Sequence, residues 1–92
     1  MKYVLLGRQS GEWLGRHDRR NRLARAKAKE LGIKIQSVLY TQGAYDFVDT
    51  VEAPSPEAML KFSVWYAKQG FGSFQSLPAF DGKTMAEASK EE

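Results

Sequence analysis

The only histidine of the chain is the residue best suited to proton transfer. His17 lies near the start of a predicted helix, and at about 100° per residue it shares a face with Ala24, Ala28 and Leu31. At the N-terminal end of such a helix it could act as an acid or a base near neutral pH. The alternative is an exposed loop histidine without a role, and the sequence leaves both interpretations open.

Polar aromatic and acidic residues around a predicted hairpin form a second candidate set. Tyr40 ends one β-rich segment, and Tyr45 and Asp46 begin the next. Adjacent strand residues point to opposite faces, so Tyr45 and Asp46 are not expected to share one site. Asp46 is expected to accept hydrogen bonds at the hairpin, whereas Tyr45 either lines a pocket or packs. The ligand-pocket candidates are therefore His17, Tyr40, Tyr45 and Asp46.

Several kinds of chemistry lack the residues they need. The chain has no cysteine and one histidine, so no thiolate or histidine-rich metal site is predicted and no disulfide can form. No nucleophile-elbow or glycine-rich phosphate-loop pattern is present. The prediction is therefore no metal and no cofactor. No apolar run reaches the roughly 20 residues of a membrane helix, so we expect a soluble, cytoplasmic protein without a membrane partner.

The positive charge is concentrated in the first third of the chain. Residues 1–32 carry nine Lys/Arg and three Asp/Glu (+6), and residues 33–92 carry five and eight (−3). Arg22, Arg25 and Lys29 fall on the predicted solvent side of the first helix, which is typical of a solvated face. The aspartates at 46 and 49 would repel phosphates beside Tyr45 and Phe47, so a nucleic-acid partner is disfavoured.

The periodicity predicts strands near residues 2–7, 33–41, 45–53 and 72–80, helices near 18–31 and 55–69, and a frayed polar tail over 81–92. A slip in the alternation near Ser37 indicates a bulge, and Gly43 suits a two-residue type II′ turn. Pro78 predicts an edge position or a bulge for the last strand. This order, βαββαβ, is the ferredoxin-like α+β arrangement, with one antiparallel four-stranded sheet and both helices on one face.

The predicted helices differ in how their apolar residues are arranged. In the first, the apolar face consists of Leu23, Ala24, Ala28 and Leu31, with Arg20 and Lys27 at its edge. In the second it is wide and comprises Met59, Leu60, Phe62, Val64, Tyr66 and Ala67. Trp65 falls outside that arc. It is expected either to contact a partner or to enter the core through a tilt of the helix.

Short motifs give the chain a family resemblance. They are Leu31-Gly32, Gly43-Ala44-Tyr45-Asp46, Val51-Glu52-Ala53-Pro54, Gly70 and Leu77-Pro78-Ala79-Phe80. In this register they resemble the GYD domain, a family similar to the dimeric α/β-barrel superfamily. The resemblance implies a GYD-like domain over residues 1–80 followed by the tail over 81–92. It also implies sheet-to-sheet dimers, and it implies no particular activity.

The second face of the predicted sheet gives an independent reason to expect self-association. Two helices cover one face of a four-stranded sheet, and the strands offer apolar residues to both faces. We therefore expect a homodimer or higher oligomer, with Tyr3, Leu5, Phe47, Trp65 and Phe74 as interface candidates.

Three functions remain open at this stage. The first is a cofactor-free small-molecule-binding or regulatory oligomeric module. The second is a cofactor-free enzyme of the oxygenase or isomerase type, with a pocket between sheet and helices. The third is a nucleic-acid binder that uses the basic first helix.

Overall fold

A computed structural model describes residues 1–90 and shows an antiparallel sheet with helices on one face. The elements in chain order are β1 (Lys2–Gln9), a 3-10 helix (Gly11–Arg16), α1 (His17–Glu30), β2 (Lys34–Tyr40), β3 (Phe47–Glu52), α2 (Pro56–Lys68), β4 (Gly72–Pro78) and α3 (Gly82–Ala88). The strand order is β2-β3-β1-β4, which confirms the ferredoxin-like fold. Pro78 ends the edge strand β4, as predicted, since an edge residue needs no ladder donor.

The pleat of β1 and β3 separates a helix-facing side from an open side. Tyr3 and Leu5 are buried under the helices, whereas Val4 and Leu6 alternate with them and face the other way. Gly7 continues the helix-facing side, because a side chain there would collide with the ring of Phe47.

The hairpin between β2 and β3 differs from the prediction. The predicted bulge is confirmed as a register shift between Ile35 and Ser37. The two-residue turn is wrong, because residues 41–46 form a longer loop closed by a 2.9 Å bond from the Thr41 amide to the Asp46 carbonyl. β3 therefore begins at Phe47, and Tyr45 and Asp46 belong to the loop.

Local capping interactions define the ends of the two long helices. The Ser55 hydroxyl accepts a 3.1 Å hydrogen bond from the Ala58 amide at the start of α2. After α1, Gly32 has φ +74°, and the Ile33 amide donates to the Ala28 carbonyl at 2.8 Å, which makes a Schellman cap. The segment before α1, for which the periodicity predicted no regular element, is a short 3-10 helix.

The core lies between the helices and the sheet, and it corrects several predicted positions. Leu23, Leu60 and Val64 are 40%, 64% and 46% exposed instead of buried, because the helices turn other residues to the sheet. Trp65 is half-buried between Phe62 and Phe71, so the helix tilts it inward.

Most of the predicted interface residues lie on the helix-facing side of the sheet and not on its open face. Tyr3, Leu5 and Phe47 are buried in the chain's own core, and Phe74 packs against it. They cannot form an interface on the open face of the sheet. The residues that do lie on that face are Val4, Leu6 and Val48, which are neighbours across β1 and β3.

The segment after β4 is helical where fraying was predicted. α3 runs from Gly82 to Ala88 with none of its residues buried, and the Asp81 side chain caps it by accepting from the Thr84 amide at 2.8 Å. That bond lowers the pKa of Asp81 below its ordinary value. The last two residues of the predicted tail, 91 and 92, lie outside the described residues.

Candidate functional site

A small cleft lies between α1, α2 and the helix-facing side of the sheet. Its volume is about 40 Å³, and its walls include Leu5, Ile35, Val51, Phe62 and Phe74. Polar side chains enter this apolar space from three elements: Arg20 from α1, Asp49 from β3 and Tyr66 from α2. We refer to this space as the α1 cleft and to the three side chains as the polar cluster.

Arg20 is the only buried charged residue among those described, with 5% of its surface exposed. Its Nη1 donates a 2.7 Å hydrogen bond to the Tyr66 hydroxyl, and its Nη2 lies 3.3 Å from His17 Nδ1. Its Nε has no hydrogen-bond partner in the described part of the chain. An arginine at the edge of the apolar arc was expected to lay only its stem along the core, but here the guanidinium is buried as well.

Asp49 brings a carboxylate into the same space. It lies on β3 between Phe47 and Val51, so the pleat turns all three toward the helices. Its Oδ1 is buried without a hydrogen-bond partner in residues 1–90. Burial raises the pKa of Asp49 to about 6, and the charges of Arg20 and Arg25 oppose this rise only in part.

Tyr66 links the arginine to the aromatic core. Its ring packs edge-on against Phe71 and Phe74 at centroid distances of 5.3 Å. Burial raises the pKa of Tyr66, and the Arg20 charge and hydrogen bond oppose that rise. The phenol therefore keeps its proton at neutral pH. Its oxygen accepts from Arg20, which leaves its O–H free to donate to another group.

His17 and Tyr40 lie together at the mouth of the α1 cleft. Their rings meet edge to face with centroids 4.9 Å apart. Both side chains are exposed, Tyr40 by 50%, and Tyr40 is part of the cleft wall. The structure thus places two of the four sequence-predicted pocket residues side by side, above the polar cluster.

Tyr45 and Asp46 lie elsewhere. The Asp46 Oδ2 accepts a 2.7 Å hydrogen bond from the Gln9 amide, and the Asp46 amide donates to the Gly7 carbonyl at 2.7 Å. Asp46 therefore fastens the hairpin loop to β1. Tyr45 lies beside Arg8, whose guanidinium is 5.9 Å from the ring centre, in a shallow depression that also contains Leu6.

Sequence reasoning missed all three members of the polar cluster. One signal was available: Asp49 interrupts an apolar alternation, Phe47-x-Asp49-x-Val51, on the buried side of a strand. Buried carboxylates are rare unless they are paired or functional. Arg20 and Tyr66 carry no comparable signal, because an amphipathic helix places both types at the margin of its apolar face.

Other predicted features can be placed in the described residues. Arg22, Arg25 and Lys29 are exposed, as expected for a solvated helix face. Over residues 1–90, no three His, Cys, Asp or Glu side chains come together as a metal site. None of the helices in this stretch has the length and apolar content needed to cross a bilayer.

Comparison with known proteins gives two positive findings. The GYD domain matches residues 9–89 of the chain. The fold is similar to that of 5-chloro-2-hydroxyhydroquinone dehydrochlorinase from Burkholderia phenoliruptrix AC1100, solved in complex with 2,5-dihydroxybenzoquinone. The TM-score is 0.63 with 19% identity, over 91% of this chain and 98% of that one. No curated protein matches the sequence.

At 19% identity the solved structure shows the fold alone. The domain match covers most of the sequence and includes the Gly43-Ala44-Tyr45-Asp46 motif as well as the residues of the polar cluster. The chain therefore belongs to the GYD-domain family.

Proposed function

We propose that the chain binds a small planar ring bearing hydroxyl and carbonyl oxygens in the α1 cleft. The observation that carries the proposal is the pair of buried, unpartnered polar atoms, Arg20 Nε and Asp49 Oδ1. Leaving a buried donor or acceptor unpaired costs roughly 1–3 kcal/mol, and such atoms are rare in native proteins unless a bound water, an ion or a function explains them. A ligand with both an acceptor and a donor would satisfy the two atoms together.

The chemistry of the cleft specifies this class of ligand. Arg20 Nε–H donates to a carbonyl or phenolate oxygen, and Asp49 accepts from a ring hydroxyl. Phe62 and Phe74 supply apolar surface against which a flat ring packs. The ligand in the structurally similar dehydrochlorinase, 2,5-dihydroxybenzoquinone, has this combination of groups, which supports the proposal.

Binding a ring requires the mouth of the cleft to open. The cleft holds about 40 Å³, whereas a cavity that admits benzene measures about 150 Å³. Tyr40 is half exposed, and within residues 1–90 the one aromatic ring that it contacts is His17. Rotation of its side chain away from the cleft would therefore break few contacts. The proposal therefore includes movement of Tyr40 and His17 when the ligand enters.

The proposal is tested by thermal unfolding in the presence of 2,5-dihydroxybenzoquinone and simpler hydroxylated rings. A ligand that binds only the native state raises the melting temperature by mass action. Asp49→Asn should weaken binding about tenfold, because a charge-assisted hydrogen bond becomes a neutral one that is about 1–1.5 kcal/mol weaker. Tyr66→Phe should weaken it by a smaller factor.

Tyr45→Phe is the matched control, since it removes a phenol hydroxyl outside the cleft. Equal losses in Tyr45→Phe and Tyr66→Phe, or binding that Asp49→Asn leaves unchanged, would contradict the proposal. Absence of any melting shift across the whole ring series would contradict it as well.

A second candidate function, acid–base catalysis, is favoured by the pKa of Asp49. A carboxyl with a pKa of about 6 exchanges protons near neutral pH, as a general base must. Asp49 would take a proton from a ring hydroxyl or ring carbon and return it at another position. Exchange of ring hydrogens with D2O, followed by NMR, tests this function: acceleration by the protein should be lost in Asp49→Asn and kept in Tyr45→Phe.

We also propose that the chain forms a homodimer through the open face of the sheet. Val4, Leu6 and Val48 lie there side by side, next to Leu39 and Leu77, which are 63% and 39% exposed. Apolar patches of this kind mark contact surfaces when they are contiguous. Light scattering coupled to gel filtration tests the dimer, and a mass near the 10.4 kDa of one chain at micromolar concentration would contradict it.

A further inference from the structure

Arg20 is a buried cation for which the described part of the chain supplies no paired anion. Its side chain is 5% exposed, and within residues 1–90 it forms no salt bridge. Its terminal nitrogens meet the Tyr66 hydroxyl and the His17 ring, neither of which is an anion. Burying a charge is costly unless an opposite charge pairs with it. The position of Arg20 therefore calls for an anion from outside the chain.

Asp49 does not act as that anion. Arg20 and Asp49 both line the α1 cleft, but they form no salt bridge with each other. In an arginine–carboxylate pair the N–H groups of the guanidinium bond to the carboxylate oxygens. Here Arg20 Nε and Asp49 Oδ1 both lack a partner within residues 1–90. Each group is therefore left to interact with something else in the cleft.

The α1 cleft as a whole is positively charged. Among the described residues, three charged side chains line it: Arg20, Arg25 and Asp49. Two arginines and one ionised carboxylate give a net charge of +1. A ligand with one negative charge would bring this sum to zero. A neutral ring would instead shield Arg20 further from water and leave its charge unpaired, which is unfavourable.

The free edge of the Arg20 guanidinium indicates the shape of the anion. Nη1 is occupied by the Tyr66 hydroxyl at 2.7 Å. Nε and Nη2 share the opposite edge of the guanidinium plane. Nε has no partner in residues 1–90, and Nη2 has a long contact of 3.3 Å with His17, which lies at the mouth of the cleft. Two N–H groups side by side match the two oxygens of a carboxylate.

We propose that the ring bound in the α1 cleft is a hydroxylated aromatic carboxylic acid, which enters as its monoanion and places its carboxylate on the Nε–Nη2 edge of Arg20. This inference rests on the proposed function, because it specifies the charge and the acidic group of the same ligand. The ring hydroxyls remain available to Asp49, and Arg25 adds a second positive charge. Neutral hydroxylated rings are weaker ligands.

Isothermal titration calorimetry with a matched pair of rings tests the inference. 2,5-Dihydroxybenzoate and 2,5-dihydroxybenzamide share the ring and both hydroxyls, and only the benzoate is negatively charged at neutral pH. We expect the wild-type chain to bind the benzoate at least about tenfold more tightly, which is the range of a buried charge-assisted contact. Arg20→Gln should abolish this preference, since glutamine keeps a donor for Tyr66 but carries no charge.

Arg25→Gln provides a second variant in case Arg20→Gln does not fold. It should reduce the preference for the benzoate by roughly two- to fivefold, the range for an exposed charge, and leave the affinity for the benzamide unchanged. Arg22→Gln is the matched control, because Arg22 is an exposed arginine of α1 outside the cleft. It should change neither affinity.

Three results would overturn the inference. Equal affinities for the benzoate and the benzamide would show that the cleft takes rings regardless of charge, and the proposed function would still stand. A preference that both Arg20→Gln and Arg25→Gln preserve would place the carboxylate elsewhere. Chloride or inorganic phosphate that displaces the benzoate at equal concentration would show that Arg20 holds an inorganic anion. Failure of every ring to bind, charged or neutral, would refute the proposed function itself and this inference with it.

Discussion

Replacement of Asp49 by asparagine should stabilise the protein at neutral pH. The pKa of Asp49 is raised from 3.8 to about 6 in the folded chain because its carboxyl group is buried. A folded state with the higher pKa binds its proton more tightly than the unfolded state does. The contribution of Asp49 to stability is therefore fully present below pH 3.8 and is lost as the pH rises through 6. Asparagine does not ionise, so the variant escapes this loss.

The size of the effect follows from the same two pKa values. Their difference corresponds to about 3 kcal/mol at 1.36 kcal/mol per pKa unit. Asp49 is only half-buried, so solvent screening reduces this to roughly 1.5 kcal/mol. For a domain of 60–100 residues, 1 kcal/mol moves the melting temperature by about 4–8 °C. The melting temperature of Asp49→Asn minus that of the wild type should therefore be roughly 6–12 °C larger at pH 7.5 than at pH 4.

Thermal unfolding followed by circular dichroism from pH 4 to pH 8 measures this difference. Asp18→Asn is the matched control, because Asp18 is exposed and the same chemical change there should alter stability by no more than about 0.5 kcal/mol. A melting difference between Asp49→Asn and wild type that stays constant over this pH range would refute the assignment of a raised pKa to Asp49. A difference that shrinks as the pH rises would mean that the pKa of Asp49 is lowered in the folded chain and not raised.

Three further predictions concern packing, backbone conformation and assembly. Phe71→Ala should destabilise the domain by about 3–5 kcal/mol in denaturant unfolding, because Phe71 is fully buried and its ring supports Tyr66. Gly72→Ala should destabilise more than Gly43→Ala: both glycines have φ near +140°, but of the two only Gly72 is placed so that a Cβ would collide with a backbone oxygen, that of Arg8. Val48→Lys should lower the mass measured by light scattering while the chain still unfolds cooperatively, since Val48 lies on the open face.

The fold could be predicted from the sequence because its signals are local. Ser55 before Pro56 marks a helix start, and Gly32 and Gly70 mark helix ends, since positive φ is accessible to glycine at little cost. The bulge near Ser37 was visible as a slip in the alternation. These features depend on neighbouring residues and need no knowledge of the tertiary packing.

The hairpin loop and the helix faces could not be predicted in the same way. Asp46 is fixed by bonds to Gln9 and Gly7 on another strand, which lengthens the loop beyond the turn that Gly43 suggested. Leu60 and Val64 look like core positions on a helical wheel, but the helix rotates to bring Tyr66 over the sheet. Such choices are made by packing between distant segments.

The candidate site was only half predictable. His17 and Tyr40 were named because their side chains can do chemistry, and they do meet at the mouth of the α1 cleft. Arg20 and Tyr66 are 46 residues apart, and only the packing of α1 against α2 brings them together. Of the three residues, only Asp49 could be recognised from the sequence, because it is a charged residue at a position where the strand alternation predicts an apolar one.

The central claim is that the unpartnered atoms of the polar cluster bind a ligand, and the Nε–H resonance of Arg20 tests it most directly. In a 15N-labelled protein, titration with 2,5-dihydroxybenzoquinone should shift this resonance downfield and slow its exchange with water, because Nε gains a hydrogen-bond partner that residues 1–90 do not provide. The same titration of Asp49→Asn should need about ten times more ligand. An Arg20 Nε–H resonance that stays unchanged while resonances elsewhere shift would contradict the claim, since the ligand would then bind outside the α1 cleft.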